Sequence, residues 1–375
     1  MKIAIDCHNL EIENWAGKEQ ALFNILKSLV AIDKNNQYIL YFRNQRVLNI
    51  EKPDNWQIKS FKLPAPLWQL AVLFDLFFIS KAEVLFVPCS YLLPAMGFSI
   101  PTVVMLHDLT TFIPIIKNSH KKDVIFKEKM FVRLALKKAK SVVSVSNNTK
   151  TDCIKYFNIP VDKIKVIYPG NKNNLYQIKD VEAINEILKK YGLPQNFLLF
   201  VGTLEPRKNI GNIIKAYKDY LLENPHKNFP LLLVGKKGWY YEDFFQLVKD
   251  LKLEKNIIFT GYLPEEILPF LYSRAEVFIY PSLYEGFGLP VLEAMSCGAP
   301  VITSNTSSLP EVAGDAAIFV DPNNINEIKL AIEKIISDQS FRNSLKEKGL
   351  IQSQKFSWDV FAKELLIIFN SIYNK

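Results

Sequence analysis

Short β-rich runs alternate with amphipathic stretches along almost the whole chain, and this alternation restricts the fold more than any other feature. In the first half, runs rich in Val, Ile, Leu and aromatic residues occur at 2–6, 38–42, 84–87, 102–106, 141–145 and 165–167. Between them lie segments such as Gly17–Ile32, where Leu22, Ile25, Leu26 and Leu29 recur at helical spacing. Strands joined by helical crossovers form parallel sheets. We therefore predict an α/β fold.

The same pattern restarts in the second half, with predicted strands at 197–201, 231–234, 257–260, 277–280 and 301–303. A chain of 375 residues exceeds the size at which one hydrophobic core usually stops growing. Residues 169–174 are polar and rich in turn formers, as an interdomain hinge should be. These observations predict two doubly wound parallel-sheet domains, over residues 1–170 and 171–357. A last helix is predicted within 358–375.

Composition narrows the class of protein without choosing a ligand. The four cysteines form no C-x-x-C pair and no secretory signal precedes them, which predicts a reduced cytosolic protein without a disulfide framework or zinc site. The 46 Lys and Arg residues exceed the 38 Asp and Glu residues, for a net charge of +8. Such a charge suits an anionic small molecule, a nucleic acid or an anionic membrane surface. No recognised nucleic-acid-binding module is present, so we predict no nucleic-acid partner.

One apolar run, residues 63–79, invites a transmembrane interpretation. It is slightly short for a bilayer span and contains Gln69 and Asp75. If it crossed a membrane, the strands before and after it would lie on opposite sides and the first sheet could not close. We therefore expect a buried or interfacial helix here.

The most informative segment follows the predicted strand that ends at Tyr280. Two glycines, Gly286 and Gly288, lie in the turn, and Pro290 suits a first helical turn. Such a loop presents backbone N–H groups at a helix N-terminus, at the carboxyl end of a parallel strand, where open α/β sheets bind ligands. This arrangement predicts a pyrophosphate cradle. Glu285 lies in the loop and Glu293 about one turn into the helix, and both suit contacts to sugar or ribose hydroxyls. The alternative for Glu285 is an acid that complements the helix dipole.

Glu285 and Glu293 are eight residues apart, as in an E-x7-E motif. Together with the Gly-Phe-Gly-Leu-Pro filling and the following Ala-Met-Ser-Cys-Gly-Ala-Pro-Val, this segment resembles the retaining family-4 glycosyltransferases of GT-B fold. The resemblance covers essentially the whole chain. It implies that Glu285 contacts the donor sugar and that Glu293 binds the ribose. It also implies that the loop amides hold sugar hydroxyls and phosphate, here those of Gly286, Phe287, Gly288 and Leu289.

A second motif, Gly-Thr-Leu-Glu-Pro-Arg-Lys-Asn at 202–209, follows the first strand of the second domain. Adjacent cations at a strand end suit a leaving diphosphate, because they neutralise the charge that grows as the glycosidic bond breaks. The alternative is a solvated basic pair. The family resemblance implies that Lys208 binds phosphate. Many relatives carry Arg where this chain has Thr203, so Arg207 is the candidate for the second cation.

The remaining candidate site residues are more scattered. His107 ends the predicted strand 102–106, and the resemblance implies that it lies near the reacting centre; otherwise it is a structural strand-end histidine. Gly17, which opens the first helix, resembles the glycine whose backbone approaches the donor phosphate, or it is a plain N-terminal turn. The loop containing Tyr262 resembles those that hold the nucleobase.

Residues 117–140 are rich in lysine, with apolar residues interleaved. Basic amphipathic helices are typical of membrane-surface binders. Two interpretations stay open, a solvated helix face and a peripheral contact with the inner face of a membrane that carries a polyprenyl-linked acceptor.

The resemblance implies a GT-B architecture, with two Rossmann-like domains facing across a cleft, the acceptor on the first domain and the donor on the second. It also implies that the last helix, within 358–375, packs back on the first domain. It also implies transfer with retention at the anomeric carbon. No Asp-x-Asp cluster marks a metal site and no cofactor is expected, so backbone dipoles with Arg207 and Lys208 are predicted to stabilise the leaving diphosphate. Residues 202–209 resemble the bacterial mannosyltransferase branch most. GDP-mannose is therefore the first donor hypothesis, in surface polysaccharide or lipopolysaccharide synthesis, with UDP-glucose, UDP-GlcNAc or dTDP-rhamnose as alternates.

Other functional classes fit these residues less well than a glycosyltransferase does. A dehydrogenase would carry G-x-G-x-x-G after the first strand of a domain, and neither half does. A phosphorylase would need a pyridoxal-phosphate lysine site, which we cannot locate. A sugar epimerase, and a catalytically silent membrane adaptor, remain the rival hypotheses.

Overall fold

The computed structural model describes residues 1–11, 15, 17–44, 52–89, 91, 93, 100–113, 122–172, 174–227 and 229–374, without the side chains of residues 65, 66 and 122–129. The backbone forms two compact units. Unit 1 comprises Met1–Gly170 with Ser357–Lys375, and unit 2 comprises Asn171–Phe356. The chain passes from unit 1 to unit 2 after Gly170, where the predicted boundary also lies. It returns to unit 1 at Ser357, one residue before the predicted position 358.

Seven described strands form the parallel sheet of unit 1 in the order β3-β2-β1-β4-β5-β6-β7. They are β1 (Lys2–Asp6), β2 (Gln37–Phe42), β3 (Trp56–Ser60), β4 (Val84–Val87), β5 (Thr102–Leu106), β6 (Ser141–Ser144) and β7 (Ile164–Val166). The central strands are buried on both faces, which explains their unbroken apolar runs. The strand order reverses between β1 and β4, the kind of position where open α/β sheets bind ligands.

Helices cover both faces of this sheet. They are α1 (Gly17–Ile32), α2 (Ala65–Phe74), α3 (Lys122–Lys138), α4 (Asn147–Phe157) and, after unit 2, α13 (Trp358–Tyr373). A π-helical turn, Asp75–Ile79, continues α2. The last helix packs on unit 1, as the resemblance implies, because Phe369 contacts Phe86 edge-on at 5.6 Å between ring centroids.

In unit 2, six described strands form a parallel sheet in the order β10-β9-β8-β11-β12-β13. They are β8 (Leu198–Val201), β9 (Leu231–Val234), β10 (Ile257–Gly261), β11 (Val277–Tyr280), β12 (Val301–Ser304) and β13 (Ala317–Val320). The order reverses between β8 and β11, which pair directly. The two motifs that the sequence singles out follow these two strands, so their loops leave the same edge of the sheet side by side.

The helices of unit 2 are α5 (Val181–Lys190), α6 (Ile210–Glu223), α7 (Tyr241–Asp250), α8 (Leu268–Arg274), α9 (Leu289–Ser296), α10 (Leu309–Ala313), α11 (Ile325–Ser337) and α12 (Gln339–Ser353). Short 3₁₀ turns precede two of them in the described residues, Glu265–Ile267 before α8 and Pro206–Lys208 between β8 and α6. That turn carries both candidate phosphate-binding cations.

The predicted α/β class with two doubly wound parallel sheets is confirmed. Two strands were missed, β3 and β13, and both lie at the edge of a sheet. Edge strands bury less of their surface, so their sequences carry a weaker apolar signal. In β3 the exposed Gln57 and Ile58 show this, and in β13 only Val320 is fully buried.

The apolar run at 63–79 forms α2 and its π-helical continuation. Within the described ranges, no helix is long and apolar enough to cross a membrane. Asp75 lies buried beneath this segment, where Lys59 Nζ contacts its carboxylate at 2.8 Å. Tyr41 also donates to Asp75 at 2.6 Å, so the acidic side chain faces the sheet.

Candidate active site

A four-residue charge cluster lies at the edge of unit 2 where β8 and β11 end. The ammonium of Lys208 lies 2.6 Å from Glu285 Oε1, and Arg207 Nη1 lies 2.8 Å from Glu285 Oε2. Arg207 Nη2 also contacts Glu205 Oε1 at 2.6 Å. Glu285 and Lys208 are buried, so water scarcely weakens the contact between them. The structure thus brings three predicted site residues into one cluster.

The cluster contains two cations and two carboxylates, so it is neutral as a whole. Burial alone raises the pKa of Glu285, but the charges of Arg207 and Lys208 outweigh it and lower the pKa to about 2. Burial and the neighbouring Arg207 lower the pKa of Lys208 from the ordinary lysine value, against the attraction of Glu285. Glu285 is therefore ionised at neutral pH. Because the cluster has no net charge, its attraction for a diphosphate depends on which of its charged groups face the diphosphate.

Two residues that the sequence analysis missed complete the surroundings of Glu285. Ser282 Oγ donates to Glu285 Oε1 at 2.7 Å, and the Tyr280 hydroxyl donates to the same oxygen at 3.0 Å. Burial raises the pKa of Tyr280 well above its usual value, and the Glu285 charge adds to this, so the phenol stays a donor. Tyr280 is the last residue of β11 and Ser282 follows in the loop, and no pattern in the sequence signals that either residue donates to Glu285.

Hydrogen bonds join the two motif loops. Leu283 N donates to the carbonyl of Arg207 at 2.9 Å, and Ser282 Oγ lies 3.0 Å from the same carbonyl oxygen. Asn209, which adopts a left-handed conformation (φ 62°), donates from Nδ2 to the carbonyl of Pro281 at 3.1 Å. Asparagine tolerates this conformation better than most residues. Lys208 and Glu285 are therefore held in register by backbone as well as by their own charges.

The glycine-rich loop ends at the N-terminus of α9. Gly288 is the N-cap residue with φ 114°, a left-handed value that favours glycine. A Cβ there would lie 2.7 Å from Leu309 Cδ2. Two serines that follow β12 hold the loop. Ser308 Oγ lies 2.6 Å from the carbonyl oxygen of Phe287 and 3.0 Å from that of Glu285, and Glu285 N donates to Ser307 Oγ at 3.1 Å. These contacts fix the loop backbone at the N-terminus of α9, where the phosphate cradle is predicted. Within the first turn Pro290 carries no N–H, and Val291 N donates to the carbonyl of Gly288 at 3.0 Å.

Side chains around the loop differ in exposure. Phe287 is buried against Phe356, with 5.6 Å between ring centroids at a steep angle. Leu289, the first residue of α9, is half-buried. The Phe287 side chain thus belongs to the core, and the implied role of its amide stays a prediction.

Glu293 occupies a separate buried position on α9. The Tyr272 hydroxyl donates to its Oε2 at 3.1 Å, and Lys172 Nζ lies 3.5 Å from its Oε1. Lys172 also contacts Glu265 Oε1 at 3.1 Å. Burial raises the pKa of Glu293, and the Lys172 charge only partly opposes it. Neither Lys172 nor Tyr272 was predicted, because only the fold brings their segments to α9.

Two further loops lie at the same edge of the sheet. Thr203 is exposed directly after β8, and its loop meets the loop after β9, where a Cβ on Gly235 would lie 1.9 Å from the Gly202 carbonyl oxygen. Tyr262, after β10, is exposed, and Lys236 Nζ lies 4.8 Å from the centre of its ring. Thr203 and Tyr262 therefore belong to neighbouring loops, although neither contacts Glu285 in the described hydrogen bonds and ion pairs.

The remaining predicted residues belong to unit 1. Gly17 is exposed at the first position of α1. His107 follows β5, and its Nε2 lies 2.8 Å from the carbonyl oxygen of Pro88, the residue after β4. Burial lowers the pKa of His107, so the ring is neutral at pH 7. The roles of Gly17 and His107 toward a donor stay predictions.

The described residues contain no group of three or more His, Cys, Asp or Glu side chains placed to hold a metal ion. The pairing of Arg207 and Lys208 with carboxylates is instead the dominant electrostatic feature of the site.

Two family models match the chain over most of its length. Residues 183–351 match Glycosyl transferases group 1, and residues 38–171 match Glycosyltransferase Family 4. With a fold of two doubly wound parallel sheets and the clustered Glu285, Lys208 and Arg207, this chain belongs to the family-4 glycosyltransferases of GT-B fold, as the sequence analysis predicted.

Several curated relatives are mannosyltransferases. O-antigen chain mannosyltransferase B of Escherichia coli is 39% identical over 258 residues, which are 68% of this chain and 67% of that protein. Serotype-specific mannosyltransferase WbdA of Escherichia coli is 35% identical over 71% of this chain, but this is 33% of WbdA. The chain thus spans about two thirds of the first relative and a third of the second.

Solved structures show the same fold at low identity. Sucrose-phosphate synthase of Thermosynechococcus elongatus has a TM-score of 0.80 at 20% identity, covering 100% of this chain and 99% of that one. Anabaena HepE, solved in complex with UDP and glucose, has a TM-score of 0.78 at 20% identity, covering 99% of each chain. The lipopolysaccharide glycosyltransferase WaaG has a TM-score of 0.73 at 17% identity, covering 98% of this chain and 99% of that chain.

Proposed function

We propose that this glycosyltransferase moves a mannosyl residue from GDP-mannose to a hydroxyl group of a glycan or lipid-linked saccharide during surface polysaccharide synthesis. The relatives named as O-antigen mannosyltransferases support mannose as the transferred sugar and surface polysaccharide synthesis as the pathway. The observation that carries the proposal is the buried Glu285, fixed between Lys208 and Arg207 beside the N-terminus of α9. That arrangement suits a sugar next to a diphosphate.

The proposed chemistry assigns each charged group a task. Lys208 and Arg207 stabilise the negative charge that develops on the leaving diphosphate, together with the N–H groups of α9. Glu285, ionised at neutral pH, accepts hydrogen bonds from hydroxyl groups of the donor sugar. Glu293 accepts hydrogen bonds from the ribose. We propose that the acceptor attacks from the face that the diphosphate leaves, which gives retention, and that the diphosphate takes the acceptor's proton.

We also propose that the reaction proceeds without a bound metal, because two protein cations already lie beside the predicted diphosphate position. Initial rates measured with and without excess EDTA test this. Equal rates are expected. Loss of activity that Mg²⁺ or Mn²⁺ restores would contradict the proposal.

Thermal unfolding of the purified protein with GDP, UDP, dTDP or ADP tests the donor. A ligand that binds only the folded state raises the melting temperature by mass action. We expect GDP to give the largest rise and Glu293→Ala to abolish it. A larger rise with UDP or dTDP would replace GDP-mannose by one of the alternate donors, and no rise with any nucleotide would favour the adaptor hypothesis.

The anomeric outcome needs a separate measurement. NMR of the product formed from GDP-mannose and an acceptor saccharide reports the configuration of the new bond directly. Retention of the α configuration is expected. An inverted product would remove the same-face mechanism and leave the donor assignment intact.

For location, we propose that the chain works at the cytoplasmic face of a membrane that presents the lipid-linked acceptor. The lysine-rich segment 117–140 supports this through its charge. Lys117 and Lys121 lie outside the described residues, and α3 provides the described part of the segment.

A further inference from the structure

The segment formed by α2 and its π-helical turn exposes an apolar stripe. Leu67, Leu70, Phe74 and Phe78 are each more than half exposed, at 52%, 53%, 59% and 68%. Their spacing of three and four residues places them on one side of the helix. The opposite side carries Trp68, Val72, Leu73 and Leu76, which are buried against the sheet. This surface helix is therefore apolar on both sides, which is unusual for a face that meets water.

The stripe carries no compensating negative charge. Asp75 is the only acidic residue between Phe61 and Ala82, and it is buried and paired with the half-buried Lys59. Lys62 and Lys81 are exposed at the two ends of the segment. An apolar strip flanked by lysines matches the boundary between headgroups and acyl chains, where lysine reaches the headgroups while apolar side chains insert.

A basic helix lies on the same face of the sheet. Val87 of β4 pairs in register with Val104 of β5, and registered partners of a parallel sheet point to the same face. Val87 packs in the core beneath α2, and Val104 packs in the core beneath α3. Both helices therefore cover one face, over neighbouring groups of strands.

The exposed side of α3 adds both charge and apolar surface. Arg133, Lys137 and Lys138 are exposed along its described half, and Met130 and Leu134 are also exposed. These cations attract an anionic surface within about a Debye length. The charge on this face thus selects a lipid surface that carries anionic headgroups.

We propose that this face of unit 1 is a membrane-binding surface, in which Leu67, Leu70, Phe74 and Phe78 insert at the interface and the cations of α3 contact anionic headgroups. The segment is too short to span: 15 residues at about 1.5 Å each extend about 22 Å, against a hydrocarbon core of about 30 Å. One side of the helix also stays packed on the sheet. The surface thus docks on one leaflet. The inference rests on the proposed function only in one respect: binding to the membrane would bring the enzyme close to a lipid-linked acceptor.

Flotation with vesicles tests the surface without donor or acceptor. Wild-type protein is expected to float with vesicles of phosphatidylcholine and phosphatidylglycerol, and less so at high salt. Phe74→Gln/Phe78→Gln should lower the partition coefficient at least about tenfold, because two large apolar groups no longer leave water. Leu222→Gln/Ile351→Gln is the matched control, since these exposed apolar helical residues belong to unit 2 and not to the proposed membrane-binding surface. It should bind like the wild type.

Arg133→Gln/Lys137→Gln/Lys138→Gln tests the electrostatic part, and it should reduce binding and flatten the salt dependence. Equal flotation of wild type and Phe74→Gln/Phe78→Gln would overturn the proposal. A second outcome would also overturn it: wild-type protein that does not bind vesicles but forms a dimer in sedimentation equilibrium, and a dimer that Phe74→Gln/Phe78→Gln dissociates. The surface would then be an interface between two copies of the chain.

Two readouts separate this inference from the proposed function. Far-ultraviolet circular dichroism and the melting temperature check that each variant folds. The nucleotide-induced rise in melting temperature should be unchanged in Phe74→Gln/Phe78→Gln, since these residues lie in unit 1 and the nucleotide site is proposed in unit 2. If no nucleotide stabilises even the wild type while vesicle binding behaves as described, the donor proposal fails and the membrane surface stands.

Discussion

Lys208 and Glu285 form a buried ion pair with 2.6 Å between Nζ and Oε1, across 77 residues of chain. Neighbouring strands β8 and β11 end beside each other and bring the two residues together. Each would be costly to bury alone, because an unpaired charge loses its hydration. The fold therefore positions both residues for the proposed chemistry, and each residue offsets the cost of burying the other.

Replacement of Lys208 by Met should lower kcat by a factor on the order of 10². The variant keeps the apolar stem but removes the cation nearest Glu285, while Arg207 still neutralises that carboxylate. Initial rates at saturating donor measure the effect. Lys215→Met, at an exposed position of α6, is the control and should retain wild-type activity. A kcat within about twofold of wild type for Lys208→Met would remove Lys208 from the mechanism.

The Glu285 ion pairs should make stability depend on pH. The pKa of Glu285 is lowered from 4.5 to about 2 in the folded protein, so its stabilising effect is complete above pH 4.5 and is lost as pH falls toward 2. Glu285→Gln lacks this effect. We expect the wild type to exceed the variant by at most about 3 kcal/mol in free energy of unfolding at pH 7, and the gap to close below pH 4.5.

Urea denaturation at pH 7, 4.5 and 3 measures that gap. The other carboxylates titrate in both proteins, so the difference isolates Glu285. Glu347→Gln, at an exposed position of α12, should stay close to wild type at each pH. A gap between wild type and Glu285→Gln that is constant from pH 7 to pH 3 would refute the ion-pair account.

Lys172 should control how donor binding depends on pH. Burial raises the pKa of Glu293, and Lys172 opposes that rise, so Lys172→Met should raise the pKa further. The protonated fraction of Glu293 then grows as pH falls, and its hydrogen bonds to ribose weaken. We expect the donor KM of the variant to increase from pH 8 to pH 6 more steeply than that of the wild type, with kcat less affected.

Lys179→Met removes an exposed lysine from the same segment and serves as the control for total charge. Its KM profile should follow the wild type. Identical profiles for all three proteins would show that Lys172 does not act through Glu293.

The positive φ of Gly288 should make this glycine sensitive to a single methyl group. Gly288→Ala should cost about 1–3 kcal/mol in free energy of unfolding and weaken nucleotide binding, because the added Cβ would lie 2.7 Å from Leu309 Cδ2. Gly192→Ala is the control, since Gly192 also has a positive φ but nothing within 4 Å of the added atom. That variant should lose about 1 kcal/mol and bind nucleotide normally. Equal losses in the two variants would show that the clash at Gly288 is relieved.

Much of the fold was predictable from local patterns. The buried strands of both sheets are continuous apolar runs between amphipathic helices, and each such run was assigned to a strand. The edge strands β3 and β13 were missed because their residues are partly exposed and their apolar signal is weak. The polar segment at 169–174 marked the boundary between units, because turn residues cannot extend either sheet.

The sequence by itself determined the α/β class, the two-unit division, and the motifs with Glu285, Glu293 and Lys208. Spacing and residue type carry that information, since periodicity and turn chemistry are local properties. Only the tertiary structure decided that Ser282 and Tyr280 donate to Glu285, that Lys172 and Tyr272 contact Glu293, and that α2 leaves an apolar stripe exposed. Ser282 and Tyr280 are close to Glu285 in the chain, but their donation to it depends on how the loop after β11 folds back. Lys172 and Tyr272 come from segments far from Glu293, and the stripe depends on which helix face meets the sheet. Strand order and packing set them, and a single sequence does not encode strand order in any local pattern.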